Sequence, residues 1–248
     1  MSLLTGGTAD KLGNRYEEYW MILQLIRAID GKINSICIED PTVEKSECLI
    51  TSDHGKELHQ NKRSKASGSW TLSQLGKNNQ NILAPIFRQL LGNNSTFYLV
   101  SGSDAPELKA LSVQARLASN FAEFETHVLS DEAHQKSYQS LVKECNNLNN
   151  DQNFDILKRI FVRVVDEEGI LDMINARLRA LFLSGHADIR RNLREFVTDH
   201  IGVTLTGEDL RNKLQALGHN LRTITDSDTA SRKINELTDQ YLVEIRRR

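Results

Sequence analysis

Glu47-Cys48-Leu49-Ile50-Thr51-Ser52-Asp53-His54-Gly55-Lys56-Glu57-Leu58-His59-Gln60-Asn61-Lys62-Arg63 is the stretch on which the reading of this chain turns. Two β-prone runs, 48–51 and 57–63, flank the turn signal Ser52-Asp53-His54-Gly55, which predicts an antiparallel hairpin. Side chains alternate along a strand, so Gln60 and Lys62 share one face while His59 and Asn61 take the other. A two-residue loop at His54-Gly55, or a four-residue loop over 53–56, sets Glu47 opposite Lys62 and diagonal to Gln60 on one face. A three-residue loop would send Glu47 to the other face. The expected product is a carboxylate, an amide and a lysine gathered at one end of a sheet.

Before the hairpin, Leu12, Tyr16, Trp20, Leu23 and Ile26 recur at steps of three and four, which predicts a helix over 8–28. Thr8 or Asp10 caps its start, and Gly31 lies past its end. Glu17 falls on a stripe with Gly13, Trp20 and Gln24 at the border of the buried face. Glu18 is turned about 100° further round, toward solvent. A strand over 33–39 follows.

After the hairpin, the small basic stretch 64–69 reads as a loop. Thr71-Leu72-Ser73-Gln74 has the capping-box pattern and opens a helix to about 91, broken or kinked at Gly76 and Pro85. A strand over 96–101 follows, and the intervening helix favours parallel pairing with 57–63. Beyond Pro106 helices are predicted at 107–117, 121–129, 132–146, 167–183, 187–201, 207–217 and 227–247, with one strand at 160–165. The polar run 146–153 reads as a linker. The chain thus divides into an α/β core over 1–104 and a mostly helical extension over 105–248.

Of the 248 residues, 39% are hydrophobic and 26% charged, the balance of a globular protein with a real core. No apolar run reaches the roughly 20 residues that span a bilayer. The N-terminus lacks the basic and apolar regions of a signal peptide, so none is expected. Cys37, Cys48 and Cys145 are odd in number and lack CxxC spacing, which points to reduced thiols and a cytoplasmic location. The net charge of −2 leaves any attraction for nucleic acid to local clusters. The histidines show no HExxH spacing, the glycines no phosphate-binding loop, and no Ser or Cys has a recognisable nucleophile pattern.

Metal-dependent phosphodiester hydrolysis needs oxygen ligands for a hard cation and a positive group beside the attacking water. Glu47 supplies a carboxylate, Gln60 a neutral carbonyl oxygen and Lys62 the positive charge, with Glu17 a second acid if its helix packs across this same face. Lys56, Arg63 and Lys65 are candidates for a rim that contacts DNA phosphates. Each has a plainer reading: a polar edge strand, a solvated helix border, a solvated turn. His59 points away from Gln60 and reads as structural, and Trp70 as a core or loop anchor. Arg177 and Arg179, Arg190, Arg191 and Arg194, and Arg246 to Arg248 either follow a DNA backbone or pair with nearby acids such as Glu195.

This order, an acid on a helix, an acid in a strand meander, then (D/E/Q)-x-K, a helix and a strand, resembles the PD-(D/E)XK nuclease superfamily. More narrowly, Gly13-Asn14-Arg15-Tyr16-Glu17, Glu47 and His59-Gln60-Asn61-Lys62-Arg63, with Trp70-Thr71-Leu72 after them, resemble the effector endonuclease domain of bacterial anti-phage proteins. Such domains occur fused to second-messenger sensors or to signalling ATPases of the STAND class. The resemblance covers about 5–102 and implies a restriction-endonuclease-like core. It also implies Mg²⁺- or Mn²⁺-dependent, largely sequence-nonspecific cleavage of double-stranded DNA in anti-phage defence. Activation would come by homo-oligomerisation through a fused or associated sensor or ATPase domain, with no membrane partner. By position, Glu17, Glu47, Gln60 and Lys62 form the site, the first three toward the metal. The superfamily more often has Asp at the place of Glu47, an acid at Gln60 and an apolar residue at Asn61. Two other readings stay open: a degenerate, non-catalytic DNA-binding or assembly module of this fold, and a helical interaction domain whose sheet is scaffold.

Overall fold

The computed structural model describes residues 6–63, 68–76, 80–145 and 148–222, with side chains from Arg15 onward. Helix α1 (Gly6–Ile29) leads into β1 (Ser35–Ile38), β2 (Cys48–Ser52) and β3 (Gly55–Lys62). Then come α2 (Leu72–Leu75), α3 (Leu83–Leu91) and β4 (Thr96–Ser101). Helices α4 (Pro106–Leu117), α5 (Phe121–His127), α6 (Glu132–Glu144) and α7 (Asn150–Leu157) precede β5 (Ile160–Val164). Helices α8 (Glu167–Leu181) and α9 (His186–Asp199), β6 (Thr204–Thr206) and α10 (Gly207–Ala216) complete the described chain.

The fold is α/β, built on one six-stranded sheet ordered β5-β4-β3-β2-β1-β6. β3, β4 and β5 run parallel, while β1 pairs antiparallel with both β2 and β6 and β2 antiparallel with β3. Alternation along the strands feeds two cores. Ile36, Ile38, Cys48, Ile50, Tyr98 and Val100 pack with Trp20 of α1 and with α8 to α10. Leu58, Phe97 and Leu99 pack on the other face with Leu83, Ile86, Phe87 and Leu90 of α3 and with α4. Full burial of each such side chain is worth about 1.5–3 kcal/mol, so the sheet is anchored from both sides. Cys37, Cys48 and Cys145 are free and buried. Among the described residues no helix is long and apolar enough to cross a membrane.

Four expectations need correction. The hairpin turns at Asp53 and His54, with Ser52 paired to Gly55, whose φ of 115° suits a residue without a Cβ. That register carries Glu47 to Gln60 rather than to Lys62, but the same-face relation survives because the slip is an even one. The helix expected from Thr71 to about 91 is broken at Gly76, as expected, where α2 ends, but not at Pro85, which sits in the first turn of α3, where no backbone donor is lost. The stretch read as a linker contains α7, capped by Asn149 through a capping box with Gln152 and buried through Phe154, Ile156 and Leu157. β6 escaped prediction because only Leu205 of its three residues is buried. Strands β5 and β6, both beyond residue 104, extend the two edges of the sheet formed by the earlier strands. The helix expected at 227–247 and the Arg246–Arg248 cluster lie outside the described residues.

Candidate active site

The site lies where β3 ends and β2 begins. Glu47 immediately precedes β2, and its main-chain N–H bonds the His59 carbonyl at 2.8 Å. Its side chain is held from two sides: the Gln60 amide Nε2 donates to one carboxylate oxygen and the Asn61 main-chain N–H to the other. Lys62 Nζ stands 3.7 Å from Glu47 Oε1, with its side chain still 21% exposed. Three of the four expected residues therefore converge.

Burial sets the electrostatics. It pushes the Glu47 carboxyl up to about 8, and Lys62 and the Asn61 N–H offset only part of that rise. Glu17, the fourth expected residue, makes no hydrogen bond or ion pair with this trio, because α1 packs on the His59 face and not on the face of Gln60 and Lys62, but it shares their field. Burial raises its carboxyl, Lys62 pulls it down, and Glu39 pushes it up. Lys62 is thus the cation that pulls down two carboxyls raised by burial.

A cavity of about 500 Å³ opens beside the trio, lined by Glu47, Gln60 and Lys62 and also by Glu39, Asp40, Lys45 and Gln80. These last four were not among the residues singled out from the sequence. The Glu39 N–H bonds the Glu47 carbonyl at 2.8 Å, so a register extended past β1 would have found it. Glu39, Lys45 and Asn81 hold φ values of 48°, 57° and 50°, the only positive values at non-glycine positions among the described residues. All three fall on the two loops that wall the cavity. Left-handed backbone disfavours side chains such as Glu39 and Lys45 by about 1–2 kcal/mol, whereas Asn adopts it readily, so it is the loop after β1 that carries strain.

A hard cation finds a workable but sparse donor set. Turning the Gln60 amide end for end places its carbonyl oxygen beside the Glu47 carboxylate, two oxygens of the kind Mg²⁺ prefers. A buried carboxylate with raised proton affinity is also one that gains from a nearby cation. Among the described residues no group of three or more His, Cys, Asp or Glu is arranged to hold a metal. Glu47 and Gln60 are therefore the residues that could hold such an ion.

The expected rim is scattered. Arg63 follows Lys62 and stays beside the site, half-buried. Lys56 sits at the hairpin end of β3, six residues from Lys62, roughly 20 Å at the usual strand rise. Lys65 lies outside the described residues. His59 is buried on the α1 face, where Trp20 Nε1 donates to its Nδ1 at 3.0 Å. Trp70 is 8% exposed and donates to Ser101 Oγ at 2.9 Å, an anchor as expected.

Four of the five helical arginines singled out bond within the chain. Arg194 meets Glu18 at 2.5 Å, Arg191 meets Asp188 at 3.1 Å and Arg177 meets Asp30 at 3.2 Å. Arg190 bonds Asn175 at 3.2 Å. Glu18 is thus an ion-pair partner rather than a solvated acid, and Glu195 is not the partner these arginines use.

No protein-family model matches the chain, and no curated protein sequence matches it. Among solved structures it is similar to the SAVED/CARF-domain containing receptor Cap4 of Moraxella osloensis, at a TM-score of 0.46 and 11% identity over 81% of this chain and 46% of that one. It is also similar to Cap4 of Acinetobacter baumannii with the cyclic trinucleotide 2'3'3'-cAAA, at a TM-score of 0.45 and 12% identity over 88% of this chain and 47% of that one. The chain spans about half the length of each receptor. At these scores the likeness carries no argument about the site.

Proposed function

We propose that this chain is a metal-dependent DNA endonuclease of the PD-(D/E)XK kind, the effector part of a bacterial anti-phage system in the cytoplasm. The observation that carries this reading is the convergence of Glu47, Gln60 and Lys62 on the wall of one open cavity. Few other chemistries need a buried carboxylate, an amide oxygen and a lysine in that arrangement. A bound Mg²⁺ or Mn²⁺ would supply charge stabilisation at the scissile phosphate and a more acidic water. The residues' own tasks follow from their places. Lys62, partly exposed, orients the attacking water and balances negative charge on the phosphate. Glu47 and Gln60 hold the cation, and Glu17 adds negative charge from the helix side. Arg63 guides the DNA backbone toward the cavity. Two copies brought together by a sensor or ATPase partner would address the two strands.

The test is plasmid cleavage by purified protein in Mg²⁺ or Mn²⁺, beside Lys62→Ala, Glu47→Ala and a chelator control. Parallel arms add a cyclic trinucleotide or a co-expressed partner as activator. Metal-dependent cutting that both substitutions abolish, with folding intact, supports the reading. Gln60 in place of an acid favours a second reading, a DNA-binding or assembly module without catalysis. Salt-sensitive DNA retention with no cutting under any activating condition selects that one.

A further inference from the structure

The layer between β3 and α1 holds a polar group that packing does not explain. Asn61 is fully buried, and neither its Nδ2 nor its Oδ1 has a hydrogen-bond partner among the described residues. Buried amides are nearly always paired, and an aliphatic side chain in this place would spare the fold an unpaired donor and acceptor. A burden of this kind at the end of a site points to a role there.

What Asn61 faces follows from the direction of α1. Trp20 meets His59 at 3.0 Å. One turn earlier, the Tyr16 hydroxyl reaches the Val165 carbonyl at 2.9 Å. The Val165 N–H bonds Ser101, and Ser101 pairs with Lys62 across the parallel ladder. The helix therefore runs antiparallel to β3, and one helical turn back corresponds to the step from His59 toward Lys62. Glu17, on the stripe of Trp20 and Gln24, lies level with Asn61 and Lys62. Asn61 thus stands between two acids. Its main-chain N–H already holds Glu47 on one face, and its free amide is turned toward the helix that carries Glu17 on the other. The Glu17 carboxylate makes no hydrogen bond among the described residues, although it lies within the field of Lys62.

We propose that Asn61 is a positioning residue for Glu17: its Nδ2, which makes no direct bond to any described side chain, donates through one bridging water to the Glu17 carboxylate and fixes that acid against the site. The inference rests on the nuclease reading above. It assigns one residue to both acids, through the main chain for Glu47 and through the side chain for Glu17. It also accounts for a polar residue at a strand position that otherwise faces the core.

The experiment is a double-mutant cycle of Asn61→Leu and Glu17→Gln, read by Mn²⁺ binding in electron paramagnetic resonance, by thermal melting and by DNA cleavage. Asn61→Leu should melt about 2–4 °C higher, the response expected of a chain this long when about 1 kcal/mol of destabilisation is removed. It should bind Mn²⁺ about tenfold more weakly, the usual penalty for losing a group that orients a ligand. In the Glu17→Gln background the same substitution should change Mn²⁺ affinity less than about twofold. Mn²⁺ affinity equal to wild type overturns the proposal. So does an equal loss in both backgrounds, or a lower melting temperature accompanying the loss, which would make Asn61 merely structural. A wild-type protein that binds no Mn²⁺ overturns the nuclease reading and this inference together, and is told apart because it appears before any substitution.

Discussion

Strand β3 carries two buried polar clusters side by side, and they are built in opposite ways. Around His59 the described polar atoms are matched: Trp20 donates to Nδ1, and Nε2 meets Glu57 at 3.1 Å. Burial drives the imidazole down to about 4 even against the pull of Glu57, so the ring is neutral and donates its single proton to that carboxylate. One step along, Glu47 is pushed up to about 8 beside a lysine, the Asn61 side chain has no partner among the described residues, and the loop after β1 is strained. Depth of burial is the same for His59 and Asn61, so burial does not mark a site. Incomplete pairing next to an open cavity does.

The comparison breaks most visibly under substitution at the unpaired end. Lys62→Ala should lower plasmid cleavage at least about 100-fold while the melting curve moves little, and Glu47→Gln, which keeps an acceptor for the Gln60 amide and the Asn61 N–H, should lower cleavage as much. A matched loss of melting temperature in both would make the cluster structural. Next in size, His59→Leu strands the Trp20 N–H and a half-buried Glu57, and should destabilise the fold by about 3 kcal/mol. Calorimetry or urea titration measures it. A neutral result would mean that the His59 network is as dispensable as an apolar patch.

The two clusters should also oppose one another in pH. His59 takes up a proton in the unfolded chain near 6.5 but in the fold only near 4, so its contribution to stability is lost as pH falls between those values. Glu47 has the reverse sign. Its folded carboxyl holds the proton up to about 8 against 4.5 unfolded, so the metal-free protein loses stability as pH rises through that window. Urea midpoints from pH 4 to 9 should fall at both ends, with Glu47→Gln removing the alkaline slope and Mg²⁺ flattening it. The smallest effect is reserved for Lys56→Ala at the far end of β3, which should alter cleavage by less than about twofold. A larger loss would bring the hairpin tip into the DNA path.

Much of this was readable from local pattern. Alternation over 57–63 put Gln60 and Lys62 on one face, and Thr71 with Gln74 announced a cap that the structure forms. The failures share a cause. Asn149 begins a helix whose apolar residues are too few to stand out in a polar run, and β6 exists because β1 offers it an edge. Glu39 escaped notice because its place depends on how the chain leaves β1, through a backbone conformation that composition does not announce.

By itself the sequence determined which residues share a face, because alternation is a property of neighbours and survives a hairpin slip of two. It did not determine that Glu47 meets Gln60, that Asn61 is sealed without a partner, or that Arg194 reaches Glu18 from 176 residues away. Those outcomes belong to the tertiary structure. Desolvation and pairing depend on what other segments bring to a point in space, and for this site the deciding segments are α1, the loop after β1 and the end of β3.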